Sequence, residues 1–279
     1  MKKGQGAVFL TISLLVITIT IILSLSFFWE SSTDRKNELR LSEDLYVASN
    51  AIKLGKLYYD TSMDYSVFQA IYNVAKNGGW ETQKNELNTD ENSIMDAIKK
   101  KIVENFEKYA AKDYSFLGKS VRIPPLENAK LEINKIVDGV IKVKAEGNKN
   151  IYFEEKVSTP MERRNVVMGI SSTIERAYES DILMLHYIAK NFMDEVNSKS
   201  IYCGSLSDSY DETEERTGFV GKKFEVRKKV EKFSKSDSYC QATLNITVSA
   251  KEPKLLPVFN GTEVSYEPVE FKFKIEVSS

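Results

Sequence analysis

Gly6–Trp29, GAVFLTISLLVITITIILSLSFFW, is the stretch on which the reading of the fold turns, because its 24 consecutive positions carry no formal charge. As a helix it would extend roughly 36 Å, at about 1.5 Å per residue, against a bilayer hydrocarbon core of about 30 Å. It therefore reads as a transmembrane helix. Lys2 and Lys3 precede it, and Glu30 and Asp34 follow it. The positive-inside bias then predicts a cytoplasmic N-terminus, one crossing of the cell membrane and an extracytoplasmic body, so the membrane is the first expected partner. A cleaved secretory signal is the competing reading, with Ser24-Leu25-Ser26 as a small-x-small site. Its apolar region is ordinarily about 7–15 residues, shorter than the run here.

The remainder is polar. The chain has 279 residues, 42% hydrophobic and 28% charged, with 39 basic against 40 acidic side chains. A net charge of −1 excludes a strongly basic nucleic-acid binder. The mean hydropathy of −0.32 averages the apolar start with everything after it. A single histidine, His186, and two cysteines, Cys203 and Cys240, are too few for most zinc sites or for a Cys/His nucleophilic pair.

Lys2-Lys3-Gly4-Gln5, set directly against the apolar run, resembles the class III signal peptide of archaeal type IV pilin-like proteins. The resemblance covers about the first thirty residues. It implies cleavage between Gly4 and Gln5 by a prepilin-type peptidase, with the apolar helix retained on the mature protein. It also implies packing of that helix against other pilin-like subunits. Many pilins carry a glutamate at the fifth mature position, where this chain has Phe9, so one buried charge available for pairing between subunits is missing. Thr11, Thr18, Ser13, Thr20 and Ser24 recur at helical spacing and could line helix contacts. Hydroxyls bonded back to the preceding turn are the plainer explanation.

Beyond the span, Asn37 to Asp60 reads as an amphipathic helix, with Leu41, Leu45, Ala48 and Ile52 on one stripe and Val47, Ala51, Leu54 and Tyr58 beside it. No Pro or Gly separates it from the apolar run, so it can continue as a stalk. Asp64 is suited to cap a second helix to about Asn77, stopped by Gly78-Gly79. Ser93 opens a third, reaching about Lys112. The period then changes to two. Leu131 and Ile133, the turn Asp138-Gly139, and Ile141, Val143 and Ala145 predict a hairpin, followed by a strand over Ile151–Val157. A long helix is expected from Ser171 to about Asn197. The tail alternates again at Phe224 and Val226, at Cys240 through Val248, and at Phe271 through Val277. The expected fold is α+β: a transmembrane helix continuing into a helical stalk, then an extracytoplasmic head of helices and antiparallel strands. Its divisions are 1–5 cytoplasmic leader, 6–29 span, 30–158 stalk and first hairpin region, and 159–279 long helix and last sheet.

Outside the membrane an oxidising setting would let Cys203 and Cys240 pair. Such a bridge closes roughly 38 residues and constrains the unfolded chain by about 4 kcal/mol. Two unpaired buried thiols are the alternative. Asn245-Ile246-Thr247 and Asn260-Gly261-Thr262 are glycosylation sequons, Asn245 on the polar face of its strand and Asn260 in a turn. Asp208 to Glu215 is the densest acidic run; it lacks the order and the glycine of a calcium-binding loop and reads as an ordinary solvated loop. His186 reads as a helix histidine rather than a catalytic one. No phosphate-cradling glycine loop, GxSxG elbow or HExxH helix occurs, so no catalytic, cofactor or metal residue is assigned and an enzyme has no positive support. The expectation is a membrane-anchored, pilin-like cell-surface protein, structural or adhesive. A monomeric signal-anchored binding protein is the alternative.

Overall fold

The structure, a computed structural model, describes residues 3–278 apart from 85, 111–112, 117–118, 127–129, 138, 148, 159–162, 200–205, 208, 219–220, 237–238 and 260–262. In the first helix it describes the side chains of 18–29 and 42–76. The fold is α+β with antiparallel strand pairing. Helix α1 (Lys3–Lys76) is followed by α2 (Glu91–Tyr109), then by strands β1 (Asp113–Phe116) and β2 (Lys119–Arg122). Next come β3 (Lys130–Val137), β4 (Val140–Glu146), β5 (Ile151–Ser158), β6 (Arg163–Ile170) and β7 (Ile174–Glu179). Helix α3 (Ile182–Lys199) precedes β8 (Asp211–Thr217), β9 (Lys223–Ser236), β10 (Tyr239–Ala250), β11 (Leu255–Phe259), β12 (Val264–Pro268) and β13 (Glu270–Ser278).

Several expectations about the fold are overturned, the span first. Among the described residues no helix is long and apolar enough to cross a membrane. The side chains described on α1 ahead of Glu30 are those of 18–29, about 18 Å of helix against a hydrocarbon core of about 30 Å. The transmembrane element of the expected fold class is therefore withdrawn, and the α+β head with antiparallel sheets stands.

The expected break near Asp64 is also absent, since α1 is one helix of 74 residues. Nothing in Asp60-Thr61-Ser62-Met63-Asp64 disrupts a helix, there being no Gly or Pro. Asp64 instead accepts from the Tyr178 hydroxyl at 2.8 Å and pairs with Arg176, fastening α1 to β7. The helix does stop where two glycines permit it. Gly78 and Gly79 have φ of +67° and +90°. Their N–H groups donate to the carbonyls of Ala75 (3.0 Å) and Val74 (2.8 Å), the crossed pair of bonds that satisfies the last turn of a helix. Helix α2 starts earlier than Ser93, because Asp90 caps it by accepting from the N–H groups of Asn92 and Ser93. It returns antiparallel along α1, with Ile94 beside Gly79 at one end and Phe106 edge-on to Tyr59 at 5.0 Å at the other.

The strands form four sheets, ordered β1-β2-β5-β6, β3-β4-β7, β13-β10-β9-β8 and β11-β12. The expected hairpin forms between β3 and β4, with Gly139 at φ +88°; Asp138 lies outside the described residues. The long helix expected from Ser171 does not. Ile174 and Tyr178, four apart, fit a helical face and equally one face of a strand. Strand β4 pairs with them, so 174–179 is β7. Helix α3 begins only at Ile182, whose N–H bonds the Ser180 hydroxyl at 3.2 Å. The division expected at 158/159 falls between β5 and β6, which pair antiparallel, Ser158 with Arg163. The acidic run is not a loop either: 211–217 is an edge strand on β9.

The last sheet carries much of the core. Phe224 and Val226 of β9, Leu244, Ile246 and Val248 of β10, and Phe271 and Phe273 of β13 are buried on one face under α3. A register shift at Thr243/Leu244 lets Val230 and Phe233, three apart, both turn to that face.

Candidate functional site: exposed apolar surfaces

From 18 to 29, α1 presents Ile19, Ile21, Ile22, Leu23, Leu25, Phe27, Phe28 and Trp29, with exposure rising from 47% at Ile19 to 79% at Trp29. At about 100° per residue these eight side chains cover roughly 260° of the circumference rather than one stripe, with Thr20 and Ser24 in the remaining sector. The polar side chain of Ser26 turns inward on the helix, its hydroxyl donating to the Ile22 carbonyl at 2.8 Å. The result is a largely apolar collar exposed to solvent.

Farther along, the same helix becomes one-sided. Ala48, Ala51, Ile52, Tyr59, Met63, Val67, Ile71 and Val74 are buried, whereas Leu45, Tyr46 and Leu57 are exposed. Gly55 sets the closeness of this packing, since a Cβ there would lie 2.7 Å from Val121 Cγ1 of β2. A polar clamp reinforces it. Lys56 pairs with Asp60 at 2.7 Å, and Arg176 reaches both Asp60 and Asp64. Burial, together with its bond to Asp64, pushes the Tyr178 phenol well above its ordinary pKa.

A second apolar surface lies on the head, and the sequence reading missed it. In the β11–β12 hairpin Leu255 faces Pro268, Pro257 faces Tyr266 and Phe259 faces Val264. These six form one outer face, on which Leu255, Phe259, Val264 and Tyr266 are exposed, while Leu256 and Val258 on the other face are buried. The strand packs along α1, where the Phe259 N–H donates to Gln69 at 2.9 Å. The signal was the period-two alternation in LLPVF and VSYEP, obscured by the two prolines.

The residues singled out from sequence are scattered. Gly4 and Gln5 lie in the first turn of α1. Cys240, near the start of β10, is buried and disulfide-bonded; Cys203 lies outside the described residues. Asn245 is half-buried at the centre of its sheet, in register with Lys229 and Lys274, and Asn260 lies outside the described residues. The acidic run is committed to neighbouring cations. The Arg227 guanidinium donates to Asp211 at 2.8 Å, Lys228 lies 3.0 and 3.1 Å from Glu212 and Glu214, and Lys223 and Lys251 each lie 2.7 Å from Glu215. The last two hold the Glu215 carboxyl at about 2. Among the described residues no three His, Cys, Asp or Glu side chains gather as a metal site. His186 is buried in α3, its Nε2 without a hydrogen-bond partner, with its ring 5.8 Å from that of Phe271.

Comparison with protein-family models, curated proteins and solved structures finds no match to this chain.

Proposed function

We propose that this chain is a pilin-like, extracytoplasmic cell-surface subunit, structural or adhesive, that assembles with copies of itself through the apolar collar of α1. One observation carries the reading: residues 18–29 are exposed on every side of the helix, and eight of the twelve are large apolar side chains. A stripe on one face calls for one neighbour. A collar calls for several, because a single partner would leave most of it in water. A bundle of parallel copies covers it and leaves the heads outside. The hairpin face of Leu255, Phe259 and Tyr266 offers a second apolar contact between neighbouring heads. The Lys2-Lys3-Gly4-Gln5 tetrapeptide supports processing by a prepilin-type peptidase before assembly, and the disulfide-bonded Cys240 suits an oxidising, extracytoplasmic setting.

N-terminal sequencing of the native protein should find Gln5 first; a start at Met1 or beyond Ser26 would sink the processing step. Sheared surface material should sediment as filaments containing this chain. Paired Leu23→Asp and Phe27→Asp substitutions should abolish that sedimentation and leave the head folded. Filaments that persist in this variant would overturn the role given to the collar.

A further inference from the structure

Beside the C-terminal end of α2 lies an open cleft of about 810 Å³. Its apolar lining includes Ala110, Ile123, Pro124 and Pro125. Two consecutive prolines lack the N–H groups that would extend β2, so the strand ends at Arg122 and the following wall has restricted φ. Three charged side chains face the same space: Glu107 from the last turn of α2, Arg122 from the end of β2 and Lys149 just ahead of β5. Among the described residues none of the three has an ion-pair partner. By contrast Glu104, one turn earlier on α2, holds both Lys101 and Lys108 at 2.6 Å.

Arg122 is nonetheless held in place. It stands directly across from Tyr152 in the β2–β5 register, and its Nη1 donates to the Tyr152 hydroxyl at 2.8 Å. That hydroxyl accepts from Arg122, so its own proton remains available to an acceptor in the cleft. The Arg122 guanidinium and Tyr152 phenol thus make one anion-recognising group, preorganised by a bond within the protein, and Lys149 lines the same cleft. Glu107 has the opposite sign. It lies by the C-terminal end of α2, the negative end of the helix dipole, which also favours a cation.

We propose that this cleft binds a short peptide segment in which apolar residues separate an acidic group from a basic one. The acid lies on Arg122, Lys149 and Tyr152, the base on Glu107, and the apolar residues over Pro124 and Pro125. The volume of about 810 Å³ is far more than a single small ion needs and lies in the upper part of the range for drug-sized ligands. The site is independent of the collar on α1, and binding requires no assembly.

The test uses the full chain and a fluorescein-labelled pentapeptide, Asp-Leu-Phe-Leu-Lys, capped at its C-terminus and followed by anisotropy. The peptide should saturate the protein. Asn-Leu-Phe-Leu-Gln, which lacks both charges, should bind about tenfold more weakly, as should the original peptide to the R122Q/K149Q variant. E107Q should weaken only peptides that carry the lysine. A charge-reversed R122E/K149E variant should instead prefer Lys-Leu-Phe-Leu-Lys, a gain that misfolding could not produce. Equal binding of charged and neutral peptides, no binding of either, or no change in preference on charge reversal would each overturn the proposal. Competition by free phenylalanine alone, at the potency of the peptide, would overturn the peptide assignment. A Leu23→Asp/Phe27→Asp variant should bind the peptide like the unmodified chain, so failure of the assembly reading and failure of this one are separable.

Discussion

Burial of His186 predicts a stability loss near neutral pH. Desolvation pushes the imidazole below its ordinary pKa; a bond to the Asn88 backbone and the charges of Glu91 and Asp90 oppose this in part, while Lys190 adds to it. The unfolded chain titrates near the ordinary value of about 6.5. Above that pH both states are neutral at this site and it contributes nothing to the pH dependence. Below it the unfolded chain takes up a proton that the folded chain resists, so stability falls as pH drops through about 6.5 toward the lower folded value. Thermal unfolding between pH 7.5 and 5.5 should show this slope, and His186→Leu should flatten it; parallel curves would refute the assignment. The sequence marked His186 as a helix residue. That its Nε2 lacks a partner depends on Phe271, Asn88 and other residues brought around it by the fold.

The long helix illustrates what a single element can and cannot announce. Its continuity follows from local chemistry, since 3–76 contains no proline and the first pair of glycines able to end it is Gly78-Gly79. Its one glycine beyond the first turn has a different purpose. Gly55 costs about 1 kcal/mol in helix propensity against alanine. Gly55→Ala should still destabilise the protein, by about 1–3 kcal/mol, because the added Cβ would meet the buried Val121 at 2.7 Å. Urea unfolding measures this, and an increase in stability would show that β2 yields at little cost. The same logic explains why 174–179 was misread. Apolar residues four apart satisfy both periods, and the choice was made by β4, some thirty residues earlier in sequence, which offered hydrogen bonds to a strand.

At the scale of the whole molecule, the disulfide at Cys240 ties the buried face of the last sheet to a distant part of the chain. Reduction should lower the unfolding free energy by about 2–4 kcal/mol, read as a shift in the urea midpoint with and without reductant. An unchanged midpoint would mean that the bridge adds nothing to the sheet it joins. The amino-acid sequence by itself determined the α+β class, the apolar run, the glycine stop of α1, the Asp138-Gly139 hairpin and the alternating strands of the tail. Each rests on neighbours within a few residues, where backbone sterics and side-chain period act directly. Tertiary structure decided which strands share a sheet, that β5 joins β2 and β6 instead of the β3–β4 hairpin, and that the apolar face of β11–β12 points outward. It also gathered the cleft from 106–110, 122–125 and 149–152. These outcomes turn on contacts between segments far apart in the chain, for which a periodic pattern offers many partners of equal merit until packing selects one.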